Sequence, residues 1–351
     1  MHIHVLQLIV GDKLISDSYN SLGLHLLSSG TILDAGDIHM LNRHNVEYVD
    51  ILPRTTIGAG HEPSEAPVRK ANALQLSSFS NSITAIKDIF TTVGDGGLID
   101  NEVVESAFNP LIDSFQEEKD VVSLLLSLTS QDDYTYQHSV QVGMLSYYIA
   151  KWMNKSEKDA LYIGKAGYLH DIGKSRIHPD ILNKPAKLTN DEYNEIQKHT
   201  IYGYEIIKSS MKDNTLALVA LQHHERMDGS GYPMRKKSTE IHSYSLIISV
   251  ADVYSAMICN RVYQEKRDLL IVLKELHRMS FGQLDPKITQ VFIRNMIPNF
   301  IGKKVSLSDG RVGRIVMTNP SDFFRPLINI NNEFLDLSQL QDVEITQIAI
   351  E

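Results

Sequence analysis

The sequence predicts a mainly α-helical protein, a helical bundle flanked by small β-rich segments at its N- and C-terminal ends. Three observations predict it. Apolar residues recur at three- and four-residue spacing through most of the stretch from about 70 to 297, which is the period of one helix face. Before about 55 and after about 300 the pattern changes to short runs broken by turn residues, as in strands and hairpins. Histidines and aspartates fall on separate helical runs, on or near their apolar faces, and a bundle lets such residues converge on one interior point.

Residues 1–55 form the first small β-rich segment. "HVLQLIV" and "VEYVDIL" are strand-like, and "GD" and "SLG" between them are turn signals. "GAGHEPSEAP" then reads as a linker and opens a region of linker and leading helices, 56–119. There "NALQLSSFSNSITAIKDIFTTV" carries Leu76, Phe79, Ile83, Ile86 and Phe90 at helical spacing. The main helical domain is expected over 120–297. Ser156 with Asp159 and Thr189 with Glu192 resemble capping boxes, and Asp285-Pro286 sets a cap before a proline at the first helical position. Residues 298–351 are expected to be a small C-terminal β domain. "KKVSLSDGRVGRIVM" gives two runs around Asp309-Gly310, and "PLINI" and "EFLDL" flank a hairpin turn at Asn331-Asn332.

Composition narrows the function classes. With 42% hydrophobic and 22% charged residues the chain is an ordinary globular protein, and at a net charge of −9 it is no general binder of nucleic acid. Cys259 is the single cysteine; one thiol builds neither a disulfide framework nor a thiolate cage, which favours a cytoplasmic setting. No apolar run reaches the roughly 18 residues that span a bilayer. "MHIHVLQLIVGDK" has no basic residue before its apolar stretch and makes a better strand than a signal peptide.

The chemistry lies in the histidines and aspartates. His138 shares a helix face with Val142, Leu145 and Ile149. His170-Asp171 ends the run "DALYIGKAGYLHDIGK". His199 lies on the face of Ile196, Gly203 and Ile206, His223-His224 end "TLALVALQHHE", and Asp252 sits in the apolar run "SLIISVADVYSAMIC". One histidine alone on an apolar face is the ordinary core residue. A carboxylate in an apolar helix is costly unless paired or bound to metal. Adjacent imidazoles point about 100° apart on a helix, so His223 and His224 suit two neighbouring ions better than one. Coincidental burial does not account for "HD", "HH" and a buried aspartate together.

"YTYQHS", "HDIGK", "HHERMDGSGYP" and "ADVYSAM" follow in order, with "FGQLDPKITQVF" behind them. In these the chain resembles the HD-GYP phosphodiesterases, a branch of the HD-domain metal hydrolases, over about residues 120–297. The resemblance implies hydrolysis of cyclic di-GMP to linear pGpG and/or GMP through a metal-activated hydroxide. It implies two divalent ions, iron or manganese, with a third left open, since Tyr134 stands four residues before His138 where some members place a carboxylate. The implied metal ligands are His138, His170, Asp171, His199, His223, His224 and Asp252, with Asp171 bridging two ions and counted as catalytic. Lys174 would contact a substrate phosphate as the second catalytic group, Arg261 would hold the ligand, and Gly231, Tyr232 and Pro233 would shape a lip beside the site. Where the family often has an acid, this chain has Ser255.

Two rival classes stay in view. A catalytically weak cyclic-dinucleotide sensor on the same scaffold would be expected to lose part of the ligand set, which here is complete. An HD hydrolase of nucleoside triphosphates or alarmones would not be expected to carry "DGSGYP"; a cyclic GMP-AMP hydrolase is harder to set aside, because no residue visibly reads one guanine against adenine. The expected partner is thus a cyclic dinucleotide, with no nucleic acid polymer and no membrane span. The β-rich flanks suit either a homodimer or signalling-partner contact, or plain structural capping.

Overall fold

The computed structural model describes residues 2–5, 8, 11–19, 25–44, 46, 48–52, 72–116, 134–184, 186, 188–258, 269–319, 322–340 and 342–348. The expected linker at 58–67, Cys259 and Arg261 lie outside them. The chain divides into two compact units, 1–65 and 66–351.

In the first unit β1 (His2–His4) pairs antiparallel with β4 (Tyr48–Asp50), and β2 (Ser18–Tyr19) with β3 (His25–Leu27). A helix, α1 (Ala35–Arg43), joins them. Asp34 and Asp37 open it reciprocally, each side chain accepting the other's backbone N–H, at 2.8 and 3.2 Å. Val5, Leu14, Leu33, Leu41, Val49 and Ile51 form a small core.

The second unit begins with α2 (Ala73–Gly94) and α3 (Asn101–Phe115). Phe79, Ile86 and Phe90 are buried as their spacing predicts, but Leu76, one turn from the start, is 50% exposed. The bundle is built round α4 (Tyr134–Trp152), buried at every residue from Gln137 to Ala150. Packed against or beyond it come α5 (Glu157–Leu169), a 3-10 turn over Ile172–Arg176, α6 (Pro179–Leu182), α7 (Asn190–Gln197), α8 (His199–Met211), α9 (Asn214–Gln222), α10 (Ser243–Ile258), α11 (Leu269–Met279) and α12 (Pro286–Met296). Thr189 and Glu192 form the full reciprocal cap of α7. Ser156 caps α5 through the Asp159 N–H, and its hydroxyl bonds the Asp159 carboxylate at 2.7 Å. Asp285 caps α12 through the Ile288 N–H.

The C-terminal strands β5 (Lys304–Leu307), β6 (Val312–Met317), β7 (Leu327–Ile330), β8 (Glu333–Asp336) and β9 (Ile345–Ile348) form an antiparallel sheet in the order β8-β7-β6-β5-β9. Asn331 and Asn332 both have positive φ, 51° and 69°, as a two-residue type I′ hairpin requires. Val305, Leu307, Ile315 and Ile328 belong to one buried cluster with Leu276, Phe292 and Ile293 of the helices, so sheet and bundle share a core. Among the described residues no helix is long and apolar enough to cross a membrane.

Candidate metal centre

Three helices end at the centre of the second unit. His170 follows the last turn of α5, His199 the last turn of α7, and His223 the last turn of α9. The last turn of any helix has carbonyls without intrahelical partners. Each of these histidines meets a last-turn carbonyl with its own ring: Nδ1–H donates to the carbonyl three residues back, Gly167 at 2.6 Å, Ile196 at 2.6 Å and Ala220 at 2.9 Å. That bond sets the tautomer. A neutral imidazole has one N–H, so with each ring neutral its Nε2 is a bare lone pair. All three are buried.

The lone pairs surround Asp171. Its Oδ2 lies 3.3 Å from His170 Nε2 and 3.8 Å from His138 Nε2, while Oδ1 lies 3.3 Å from His199 Nε2 and 3.7 Å from His223 Nε2. Asp252, from α10, adds Oδ1 at 3.1 Å from His138 Nε2 and Oδ2 at 3.5 Å from His224 Nδ1. Ligand atoms within 4.8 Å of one another make two groups that share Asp171. One is His138, His170 and Asp171; the other is Asp171, His199, His223 and His224. The structure therefore brings together all seven residues named as ligands from sequence. His199 stands at a break between two helices, where the sequence shows one continuous helical pattern.

The contacts within the cluster are hard to explain without a cation. His199 Nε2 and His223 Nε2 approach to 3.3 Å, yet both N–H groups are committed elsewhere. Buried His170 Nε2 and Asp171 Oδ1 have no hydrogen-bond partner. Burial alone would push both carboxyls up, but His170 and Lys174 hold Asp171 well below the usual range, and His138 and His224 do the same for Asp252. Burial, reinforced by the neighbouring imidazoles, pushes His223 and His224 well down, and burial also lowers His138. His170 moves the other way: burial lowers it, but the adjacent Asp171 carboxylate pushes it up. Charged carboxylates and neutral imidazoles are the states that bind metal, so an ion at His170 would take the place of a proton. The donor set, nitrogen and oxygen without thiolate, fits a divalent ion such as iron, manganese or zinc.

Around the cluster, Lys174 Nζ bonds Asp171 Oδ2 at 2.5 Å. The Tyr134 ring stacks on His138 with centroids 6.0 Å apart. Tyr232 sits 4.6 Å from the His224 ring, and its N–H donates to the His224 carbonyl. A Cβ on Gly231 would come within 2.5 Å of the His224 O and Arg226 N backbone atoms, so the loop lies directly on the backbone that follows His223 and His224. The Tyr232–Pro233 peptide is cis.

Sequence reasoning missed what holds this lip. Glu225, 1% exposed, accepts the N–H groups of Met234 at 2.7 Å and Lys236 at 2.9 Å. No periodicity marks an acid that works through its own loop. Glu225→Gln replaces one acceptor oxygen by a donor. Hydrogen bonds to charged groups contribute about 1.5–3 kcal/mol. Exchange of the Met234 and Lys236 amides should accelerate by roughly tenfold to a hundredfold, read by native-state hydrogen exchange; unchanged protection would mean that Glu225 does not hold the loop.

The HD domain family matches residues 121–288. The chain is similar to a cyclic di-GMP phosphodiesterase of Pseudomonas aeruginosa, 27% identical over 281 residues, 80% of this chain and 67% of that protein. It is also similar to 3′3′-cGAMP-specific phosphodiesterase 1 of Vibrio cholerae serotype O1, 34% identical over 184 residues, 51% of this chain and 42% of that protein. The chain thus spans about two thirds of the first relative and less than half of the second. An HDG"Y"P protein from Bdellovibrio bacteriovorus shares the fold, with a TM-score of 0.50 and 15% identity over 85% of this chain and 99% of that one.

Proposed function

The chain belongs to the HD-GYP branch of the HD-domain proteins, and from that premise we propose that it is a metal-dependent phosphodiesterase hydrolysing cyclic di-GMP to linear pGpG and/or GMP. The observation that carries the reading is the ring of bare, buried Nε2 lone pairs around Asp171, with His199 and His223 only 3.3 Å apart. His138, His170, Asp252 and Asp171 Oδ2 would hold one divalent ion. His199, His223, His224 and Asp171 Oδ1 would hold the second, and iron or manganese suits this set. With a tyrosine ring over His138 in place of a carboxylate, two ions are the proposed complement. Such ions supply Lewis-acid charge and make water acidic enough to attack phosphorus near neutral pH.

The protein's own groups do the rest. Lys174, at the flank of Asp171 and 21% exposed, would offset charge on the phosphoryl oxygens. In a chain of net charge −9, such local cations and the ions themselves must draw in an anionic substrate. Gly231, Tyr232 and Pro233 form the lip that confines it. Arg261, outside the described residues, is assigned to ligand binding by the resemblance alone, its fork suiting phosphate oxygens. Neither cation can ligate a metal. Lys174→Ala and Arg261→Ala should keep full metal content while hydrolysis falls by about 10²–10³, corresponding to roughly 2–4 kcal/mol. Lys174→Ala should act mainly on kcat and Arg261→Ala mainly on KM. Parent-like kinetics in both would remove them from the substrate site.

The test is incubation of purified protein, reconstituted with iron or manganese, with cyclic di-GMP and in parallel with 3′3′-cyclic GMP-AMP, products being separated and identified. Similarity to a cGAMP-specific relative favours the hybrid dinucleotide as the second reading. Cleavage of cyclic di-GMP supports the first reading. Cleavage of the hybrid alone replaces it, and binding without cleavage makes the protein a sensor.

A further inference from the structure

Three histidines of the cluster are held by carbonyls of their own chain three residues back; His138 is not. Its Nδ1 meets Ser255 Oγ of α10 at 3.0 Å, and Ser255 Oγ in turn donates to Gln141 Oε1 of α4 at 3.0 Å. All three residues are buried. A serine hydroxyl has one hydrogen. With that hydrogen given to Gln141, Ser255 can only accept from His138, so Nδ1 carries the proton and Nε2 is bare.

His138 has a competing arrangement that the other three lack. Its Nε2 lies 3.1 Å from Asp252 Oδ1, hydrogen-bonding distance. Were Nε2 protonated, it would donate to Asp252, and Nδ1 would accept from a rotated Ser255 hydroxyl. Both rings of contact would be satisfied, and both His138 and one Asp252 oxygen would be closed to an ion. What separates the two arrangements is where the Ser255 hydrogen points, and Gln141 sets that.

We infer that Gln141 and Ser255 are positioning residues which, through the chain Gln141–Ser255–His138, hold His138 in the tautomer that leaves Nε2 open and so control occupancy of one of the two ion positions. The inference rests on the two-ion reading of the cluster and adds its regulation from a residue that faces no ion. Outer-shell partners of metal-bound histidines typically change affinity by about 10–100-fold. The position served by His199, His223 and His224 meets this chain only through the carboxylates of Asp171 and Asp252 and should respond less.

The test is titration of the full-length metal-free protein with Mn²⁺ alone, counting ions per chain, with ¹⁵N–¹H spectra of the histidine rings before metal is added. Gln141→Met, close in volume but without the acceptor, and Ser255→Ala should each weaken one of two ions by about 10–100-fold and the other by less. In both, the His138 ring should shift from Nδ1–H to Nε2–H. Gln141→Glu and Ser255→Thr keep the acceptor and the hydroxyl and should bind as the parent does. Parent-like binding in Gln141→Met and Ser255→Ala overturns the inference. So does equal loss in all four variants, which would indicate packing alone. Because the readout is metal and tautomer, it succeeds or fails apart from turnover of any dinucleotide.

Discussion

Asp171→Asn is expected to strip the protein of bound metal at both positions and to abolish measurable hydrolysis while leaving its helical content intact. Each Asp171 oxygen faces a different group of imidazoles, Oδ2 toward His138 and His170 and Oδ1 toward His199 and His223. Losing the charge therefore weakens both positions at once, where loss of an outlying ligand weakens one. Residues that merely support a metal ligand typically contribute about 10–100-fold in affinity, and a shared ligand must exceed that. Elemental analysis after dialysis and far-UV circular dichroism check the two halves of the claim. Parental metal content in Asp171→Asn would end the assignment of Asp171 as bridge.

Gly173→Ala should destabilise the fold around the cluster while leaving the donor set untouched. A Cβ at Gly173 would lie 1.9 Å from the His199 carbonyl oxygen and 2.4 Å from the Gly203 nitrogen. Both are backbone atoms, so no side chain can swing aside. The 3-10 turn that follows Asp171 must separate from α8, and Asp171 Oδ1 must separate from His199 with it. Overpacking of this kind costs about 1–3 kcal/mol and sometimes more, which for a unit of this size lowers Tm by roughly 1–5 °C. Mn²⁺ affinity at the His199 position should fall in parallel. A parental melt together with parental affinity would show that the two backbones do not need this contact.

The residues of the cluster were legible because helical periodicity and chain order are local. "HD" and "HH" stand at the ends of apolar runs and Asp252 inside one, and each lies there in the structure. The helix break at His199 was not legible: Lys198 keeps helical angles, φ −66° and ψ −15°, and no glycine or proline marks the site. It is set by packing against the turn at Gly173. Nor does any pattern tie Gln141 to Ser255, 114 residues apart, since a hydrogen bond between helices leaves no periodic trace. Alternation found the C-terminal strands, but it reports which side chains are apolar and not what covers them; the shared core with α11 and α12 had to be seen. The helix α1 was hidden by its length of nine residues, although the Asp34/Asp37 pair is a cap signal that could have revealed it.

The most direct measurement is an anomalous-difference map from crystals of the protein grown with Mn²⁺. Two peaks are predicted, one on either side of the Asp171 carboxylate, the first within bonding distance of His138, His170 and Asp252 and the second within bonding distance of His199, His223 and His224. A map with no peak at Asp171, or with the ions bound elsewhere on the chain, would contradict the account.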